Sequence, residues 1–290
     1  MRSSGARHQV FDVAVFGSGL AGLSCARRLA VSGQKVVVVE KAKELGGHLL
    51  PFERSGATFE VGLHYIADTQ PGSHFATSLE KLEINLEQIS LDKEFETLIF
   101  ESNEDRLFDA GRTFSYSSPS REFSEKLKQE FPDQQQSIQK YFDLLELVWS
   151  VARQLKFPVK IKDVLRIAMA QPGKGKLLSL ATSTLSDVFD DCDLSPQLRE
   201  ILAVHHVLIG VPPSRVSAFL HMTVQRYYFE HAGFVRGGGR AMIAALMHPQ
   251  VEYRSGVDAT FERVHDCASV EPGVRWRLSL PTGESLFAKS

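Results

Sequence analysis

A chain of 290 residues, 43% apolar and 23% charged, has the composition of a soluble globular protein with a substantial core in one large domain or two smaller ones. With 33 basic against 35 acidic residues there is no excess of positive charge for nucleic acid, and no nucleic-acid partner is expected. Cys25, Cys192 and Cys267 are too few and too far apart for a disulfide framework or a paired metal site, which favours a reducing compartment.

The first ten residues lack the apolar run of a secretory signal, and no stretch approaches the roughly 20 apolar residues of a membrane span. The expected location is cytoplasmic or peripheral on a membrane. From the N-terminus, Val13 to Phe16 is a short apolar run ending at glycine, the pattern of a buried parallel strand. Leu20 to Ser32 carries apolar residues at helical spacing and Gly33 stops it; Cys25 on this helix reads as a small buried hydrophobe. Lys35 to Glu40, nearly continuous in valine, is a second buried strand, as expected where helices cover both sheet faces. Short alternating segments, FETLIF and RTFSYS, predict antiparallel strands between Asp92 and Tyr116.

A helical block follows. Ser120 is placed to cap a run to Phe131, and Asp133 to precede a long amphipathic helix through Leu155. Further helices are predicted over IKDVLRIAMA, over TLSDVFDDC, from Ser195-Pro196 to about Ile209, and from Ser214 to Tyr228. After RGGGR a helix runs through Met247, and strands lie near VEYRSGV, VRWRLSL and ESLFAKS. The expected fold is α/β: a nucleotide-binding domain interrupted by a mostly helical insertion. Its segments are 1–68, an insertion over 69–236, and a return over 237–290.

The chemistry sits in the first segment. In the Gly-x-Gly-x-x-Gly pattern Gly17 permits a tight turn, Gly19 lets the backbone approach a diphosphate, and Gly22 lets helix and strand pack closely. The helix N-terminus supplies unpaired N–H groups and the positive end of its dipole to that diphosphate. Glu40 closes the second strand where a carboxylate accepts hydrogen bonds from an adenosine ribose and repels a 2′-phosphate, which makes NADP the poorer fit. NAD and FAD share this half. Gly46 and Gly47, in EKAKELGGH, separate them: the extended pattern resembles the dinucleotide signature of FAD enzymes, where a second glycine pair passes the diphosphate and ribityl chain.

FEVGLHYI (Phe59 to Ile66) and the block from Gly210 to Leu246 narrow the match. Together with the FAD signature they resemble the phytoene desaturase, carotenoid cis–trans isomerase and retinol saturase family, within the amine-oxidase-like flavoproteins. The resemblance implies a flavin oxidoreductase acting on a polyene, with a Rossmann-like FAD-binding domain (GR2-type) interrupted by a mostly helical α+β substrate domain. It implies that Gly17, Ser18, Gly19, Leu20, Ala21 and Gly22 line the diphosphate, with Glu40 on the ribose and Lys41 beside it. Gly46, Gly47 and His48 would follow the cofactor toward the flavin. His48 stands where many relatives have arginine and would be a weaker, pH-sensitive phosphate partner. Gly62, His64 and Tyr65 would approach the isoalloxazine, and Val257 would meet the adenine through its backbone. It further implies a chain lacking the C-terminal flavin-binding segment.

Two readings stay open for several of these residues. His64 is either near the flavin or a structural histidine bonded to a carbonyl. Tyr227, Tyr228 and Phe229 are either core aromatics or a polyene-pocket wall, and Tyr228 joins His64 and Tyr65 as a catalytic candidate. His205 and His206 read as structural, and no metal site is expected. No Ser/His/Asp arrangement or carboxylate pair calls for another mechanism. The functions in view are a desaturase, saturase or isomerase of a carotenoid or retinoid, a non-catalytic FAD-binding fragment or partner-dependent subunit, and an amine-oxidase-like flavoenzyme.

Overall fold

The computed structural model describes residues 9–101, 108–155, 160–170, 174–264 and 272–290; Cys267 lies outside them. They divide into two compact units, one of residues 1–89 and 233–290 and the other of Ser90–Ala232.

The first unit begins with β1 (Gln9–Phe11), β2 (Val13–Phe16), α1 (Leu20–Val31) and β3 (Val36–Val39). β2 and β3 pair in parallel, Val13 opposite Val36 through Phe16 opposite Val39. α1 lays Leu23, Ala26 and Ala30 inward, spaced at three and four residues, and ends where Gly33 takes φ +83°. The unbroken valine run of β3 follows from burial on both faces. Val36 and Val38 pack with Ala26 and Ala30 of α1, while Val37 and Val39 face a second cluster with Phe11, Leu278 and Leu286. β2 differs from the sequence expectation. It is an edge of its three-stranded sheet and only half-buried, and Phe16 is exposed, resting on Phe261 at 4.9 Å between ring centres. Cys25 also differs: it lies on the outer side of α1 and is exposed.

Beyond β3 come the hairpin β4 (Phe52–Arg54) and β5 (Ala57–Phe59), then β6 (Ile66–Ala67), α2 (His74–Lys81) and β7 (Gln88–Ser90). α2 was not legible as a helix; Ser73 caps it by accepting the Ala76 N–H at 3.0 Å. α2 and most of β7 therefore sit in the first unit, whereas the sequence places the insertion over 69–236.

The second unit opens on the antiparallel pair β8 (Glu94–Ile99) and β9 (Thr113–Ser117), followed by α3 (Ser120–Glu130) and α4 (Gln135–Ala152). Ser120 is the first helical residue, not the cap, because its hydroxyl donates to Glu146 Oε1 at 3.1 Å while Pro119 holds the N-cap position. Asp133 does not cap α4 either; a short 3₁₀ turn over Pro132–Gln134 leads into it. Then come α5 (Ile161–Met169), α6 (Lys174–Thr182), α7 (Leu185–Asp191), α8 (Pro196–Ala203) and α9 (Ala218–Glu230). α8 tightens after Ala203 into a 3₁₀ turn over Val204–Leu208. α9 starts at Ala218 rather than Ser214, because Val216 N–H bonds the Pro212 carbonyl and Ser217 supplies the cap. The core of this unit gathers Phe114, Tyr116, Phe123, Tyr141, Phe142, Phe189 and Phe229 with aliphatics of α4, α7 and α8.

The chain returns through β10 (Ala232–Val235), α10 (Gly238–Leu246), β11 (Val251–Arg254), β12 (Thr260–Arg263), β13 (Trp276–Ser279) and β14 (Ser285–Ala288). β11 joins β3 in parallel and completes the order β11–β3–β2. β12, β13 and β14 form an antiparallel meander with β1 on its edge, parallel to β14.

Candidate dinucleotide-binding site

The site is built from the turn between β2 and α1. Gly17 takes φ +88°, a conformation that side-chain-bearing residues rarely adopt. A Cβ at Gly22 would lie 2.0 Å from the Gly17 carbonyl oxygen, so only glycine lets α1 approach the turn this closely. A Cβ at Gly17 or Gly19 would meet nothing within 4 Å; the loop faces open space there. Gly19 is the N-cap of α1 and makes no side-chain cap, so the first N–H groups of a 12-residue helix face that space. Leu20 and Ala21 are exposed beside it.

Ser18 behaves differently from its neighbours. It is fully buried, and its hydroxyl donates to Glu40 Oε2 at 2.7 Å while accepting the Gly46 N–H at 3.0 Å. Its own N–H reaches the same Glu40 oxygen at 2.7 Å, and the Ala42 N–H donates to Glu40 Oε1 at 2.7 Å. Burial favours the neutral Glu40 carboxyl, but the bonds from Ala42 and Ser18 outweigh it and hold the group below the usual carboxylate range. Glu40 is therefore a fixed, ionised acceptor at the end of β3.

The second glycine pair closes on the first. Gly46 takes φ +133° and Gly47 φ +54°, and a Cβ at Gly47 would stand 3.1 Å from the Gly19 Cα. A Cβ at Gly46 would strike Ile243 of α10 at 2.3 Å. His48 is exposed in the following 3₁₀ turn, and its carbonyl would lie 3.0 Å from a Cβ at Gly62. Val257 N–H donates to the Glu40 carbonyl at 2.9 Å. Lys41 pairs with Asp258 at 2.8 Å, and that carboxylate raises the ammonium above its ordinary value. One chain of contacts thus links Val257, Glu40, Ser18, Gly46, Gly47, Gly19, His48 and Gly62. His64 is exposed and Tyr65 half-buried just beyond it.

Tyr228 lies in the other unit. Its ring stacks on His205 at 5.2 Å and 6°, and burial, then the charge of Glu96, raises its phenol. His205 is itself buried, with Nε2 3.1 Å from Glu96 Oε2 but not aligned as a hydrogen bond. Tyr227 meets Trp149 edge-on at 4.9 Å, and Phe229 is in the aromatic core. Among the described residues no group of three or more His, Cys, Asp or Glu could hold a metal ion.

Two residues were missed. Glu60 Oε2 accepts the Gly239 N–H at 3.1 Å, and its carboxylate fills the space where side chains at Gly238 and Gly239 would be. That explains the two glycines that open α10; the acid two residues before Gly62 is the available signal. Arg27 of α1 donates to the carbonyls of Leu82, Glu83 and Met247, tying the ends of α2 and α10 to α1. An arginine among apolar helical residues gives no such signal, because its partners are far off in sequence.

Residues 15–82 match the model of the NAD(P)-binding Rossmann-like domain. Human all-trans-retinol 13,14-reductase is 27% identical over 280 residues, 95% of this chain and 45% of that protein. The 4,4′-diapophytoene desaturase of Staphylococcus haemolyticus is 22% identical over 81% of this chain and 45% of its own length. Chloroplastic prolycopene isomerase of Daucus carota is 48% identical over 56 residues, 19% of this chain and 9% of that protein. An oxidoreductase structure from Methanosarcina mazei matches with TM-score 0.60 at 16% identity, over 97% of this chain and 57% of that one. A putrescine oxidase structure matches with TM-score 0.56 at 17% identity, with the same coverage of each chain. The chain spans about half the length of the curated relatives it matches over most of its own. Its N-terminal part thus matches an NAD(P)-binding Rossmann-like domain, and the chain is similar over 95% of its length to a retinol 13,14-reductase and over 81% to a diapophytoene desaturase.

Proposed function

We propose that this chain carries the FAD-binding part of a flavin oxidoreductase acting on a retinoid or carotenoid polyene. The observation that carries the reading is the convergence of the two glycine turns, Gly17–Gly22 and Gly46–Gly47, about a Glu40 carboxylate held ionised by Ser18 and Ala42. A long dinucleotide needs two close backbone approaches in succession, and the open loop at Gly17 and Gly19 fits such a ligand. In this reading the α1 N-terminus binds the diphosphate, Glu40 accepts a ribose hydroxyl, and the Val257 carbonyl meets the adenine. Gly47, His48 and Gly62 mark the path toward the ring, with His64 and Tyr65 at its far end. Bound flavin would supply hydride exchange at N5 with a substrate carbon; the relatives named for retinol and diapophytoene support a polyene as that substrate.

The test is to purify the full chain with added FAD and record its absorbance, then to assay retinol, a carotene and putrescine under reducing and oxidising conditions. A yellow protein that turns over a polyene and not the diamine is the expected result. A protein that binds NAD and no flavin would sink the cofactor reading. A yellow protein active on putrescine alone would sink the substrate reading.

A further inference from the structure

Charge is unevenly spread along the chain. From Arg153 to Lys176 the sequence holds seven Lys or Arg and a single acid, Asp163, in a protein whose formal net charge is −2. Arg153, Lys160, Lys162, Arg166 and Lys176 are all exposed. α5 lies in the middle of this stretch. Its inner side places Ile167 against the buried cluster of Val151 and Leu177. Its outer side presents Lys162, Leu165, Arg166 and Met169, spaced i, i+3, i+4 and i+7 and so aligned on one stripe. Leu165 is 48% and Met169 51% exposed. Asp163, the one acid, already pairs with Arg166 at 3.5 Å.

A stripe that faced only water would have no use for two long apolar side chains between its basic ones. We propose that the outer stripe of α5, with Arg153, Lys160 and Lys176 flanking it, docks this unit on an anionic lipid surface. Leu165 and Met169 would enter the boundary between headgroups and acyl chains, while Lys162 and Arg166 extend to lipid phosphates. The interleaving favours lipid over a folded acidic partner. A protein interface gathers its apolar anchors into a pocket with charges at the rim, whereas a headgroup layer accepts both kinds of side chain from one stripe. At nine residues α5 is far too short to span a bilayer and suited to lie along one, and among the described residues no helix is long and apolar enough to cross. The proposal also suits the substrate class above, since a polyene dissolves in lipid, but it stands on charge and exposure alone.

The test is flotation of the full chain with phosphatidylcholine vesicles, with and without phosphatidylserine, and with no flavin or substrate added. The protein should float with the anionic vesicles only, and added salt should release it. Replacing both Lys162→Gln and Arg166→Gln should lower the partition constant by roughly tenfold or more, from about fivefold per basic residue at the surface. Leu165→Ser with Met169→Ser should lower it by about tenfold. Lys93→Gln with Arg112→Gln removes the same charge from exposed sites elsewhere on the unit and should leave binding near wild type. All four positions of the stripe point outward, so matched thermal melts are expected. Equal flotation with neutral vesicles, unchanged binding of the charge variant, or equal loss in the control pair would overturn the proposal. So would binding to soluble heparin without binding to vesicles. A colourless protein that still floats would break the flavin reading and leave this one standing.

Discussion

The glycine cradle of the first unit and the aromatic core of the second are made from opposite materials. In the cradle, side chains are missing where the backbone must come close: at Gly22 against Gly17 and at Gly47 against Gly19. Ser18 and Glu40 do nearly all of its side-chain hydrogen bonding. The second unit instead fills its interior with rings. Tyr116 stacks on Phe123 at 4.3 Å, and Tyr141 donates to Gln225 Oε1 at 2.7 Å within the same buried layer. Gln225, His205 and His221 are buried there as well. The first region is therefore vulnerable to added atoms, and the second to unpaired or newly charged groups.

The sharpest break of this contrast is Gly22→Val. Its Cβ would sit 2.0 Å from a backbone oxygen that cannot move without opening the turn. We expect a loss of about 3 kcal/mol in stability, at the upper end for overpacking, and no flavin retained on purification. Urea unfolding and the absorbance spectrum measure both. Near-wild-type stability with bound flavin would show that α1 and the turn are not packed as described.

The second unit should fail to acid instead. Burial, then the neighbouring His205, lowers His221 from near 6.5 to about 3. Above pH 6.5 neither the folded nor the unfolded state binds this proton, and stability is full. Between pH 6.5 and 3 only the unfolded state takes it up, so stability falls by about 1.4 kcal/mol per pH unit. At pH 4.5 the expected loss from this group is about 2–3 kcal/mol. His221→Asn has no proton to take up, so its stability should decline less steeply across the same window, whatever its value at neutral pH. Parallel declines in the two proteins would sink the assignment.

Ser18→Ala acts between these extremes. It leaves the Gly46 N–H buried without its acceptor and removes one donor from Glu40. The expected cost is about 1–2 kcal/mol, with weaker flavin binding, because Glu40 loses its fixed orientation. Titration of the purified chain with FAD would read this directly; an unchanged affinity would mean that Ser18 does not position Glu40.

How much was legible follows the same division. The turn geometry of Gly17, Gly22 and Glu40 was readable because glycine spacing and strand ends are local features. The Ser18 bridge was not, since a serine between glycines looks the same whether its hydroxyl faces the ligand or, as here, Glu40. Glu60 and Arg27 were missed because their partners lie more than 50 residues away. In the second unit the long periodic α4 was readable, while α6 was not. The limits of α3 and α9 shifted because a hydroxyl preferred Glu146 in one case and a proline turn ran on to Val216 in the other.

The smallest effect separates the two units without touching stability. Cys25 is exposed on α1, against the expectation of a buried hydrophobe, whereas Cys192 is buried in the aromatic unit. Burial, then the charge of Asp191, pushes the Cys192 thiol up to about 11. Two units above an ordinary thiol leave about a hundredth of the reactive thiolate at a given pH. In a Cys267→Ser background, Ellman's reagent should therefore label one thiol quickly and the second at least about a hundredfold more slowly. Cys25→Ser should abolish the fast phase, and urea should merge the two. Two equally fast thiols in the folded protein would mean that the core around Cys192 opens to solvent, and the contrast between an open cradle and a closed core would fail.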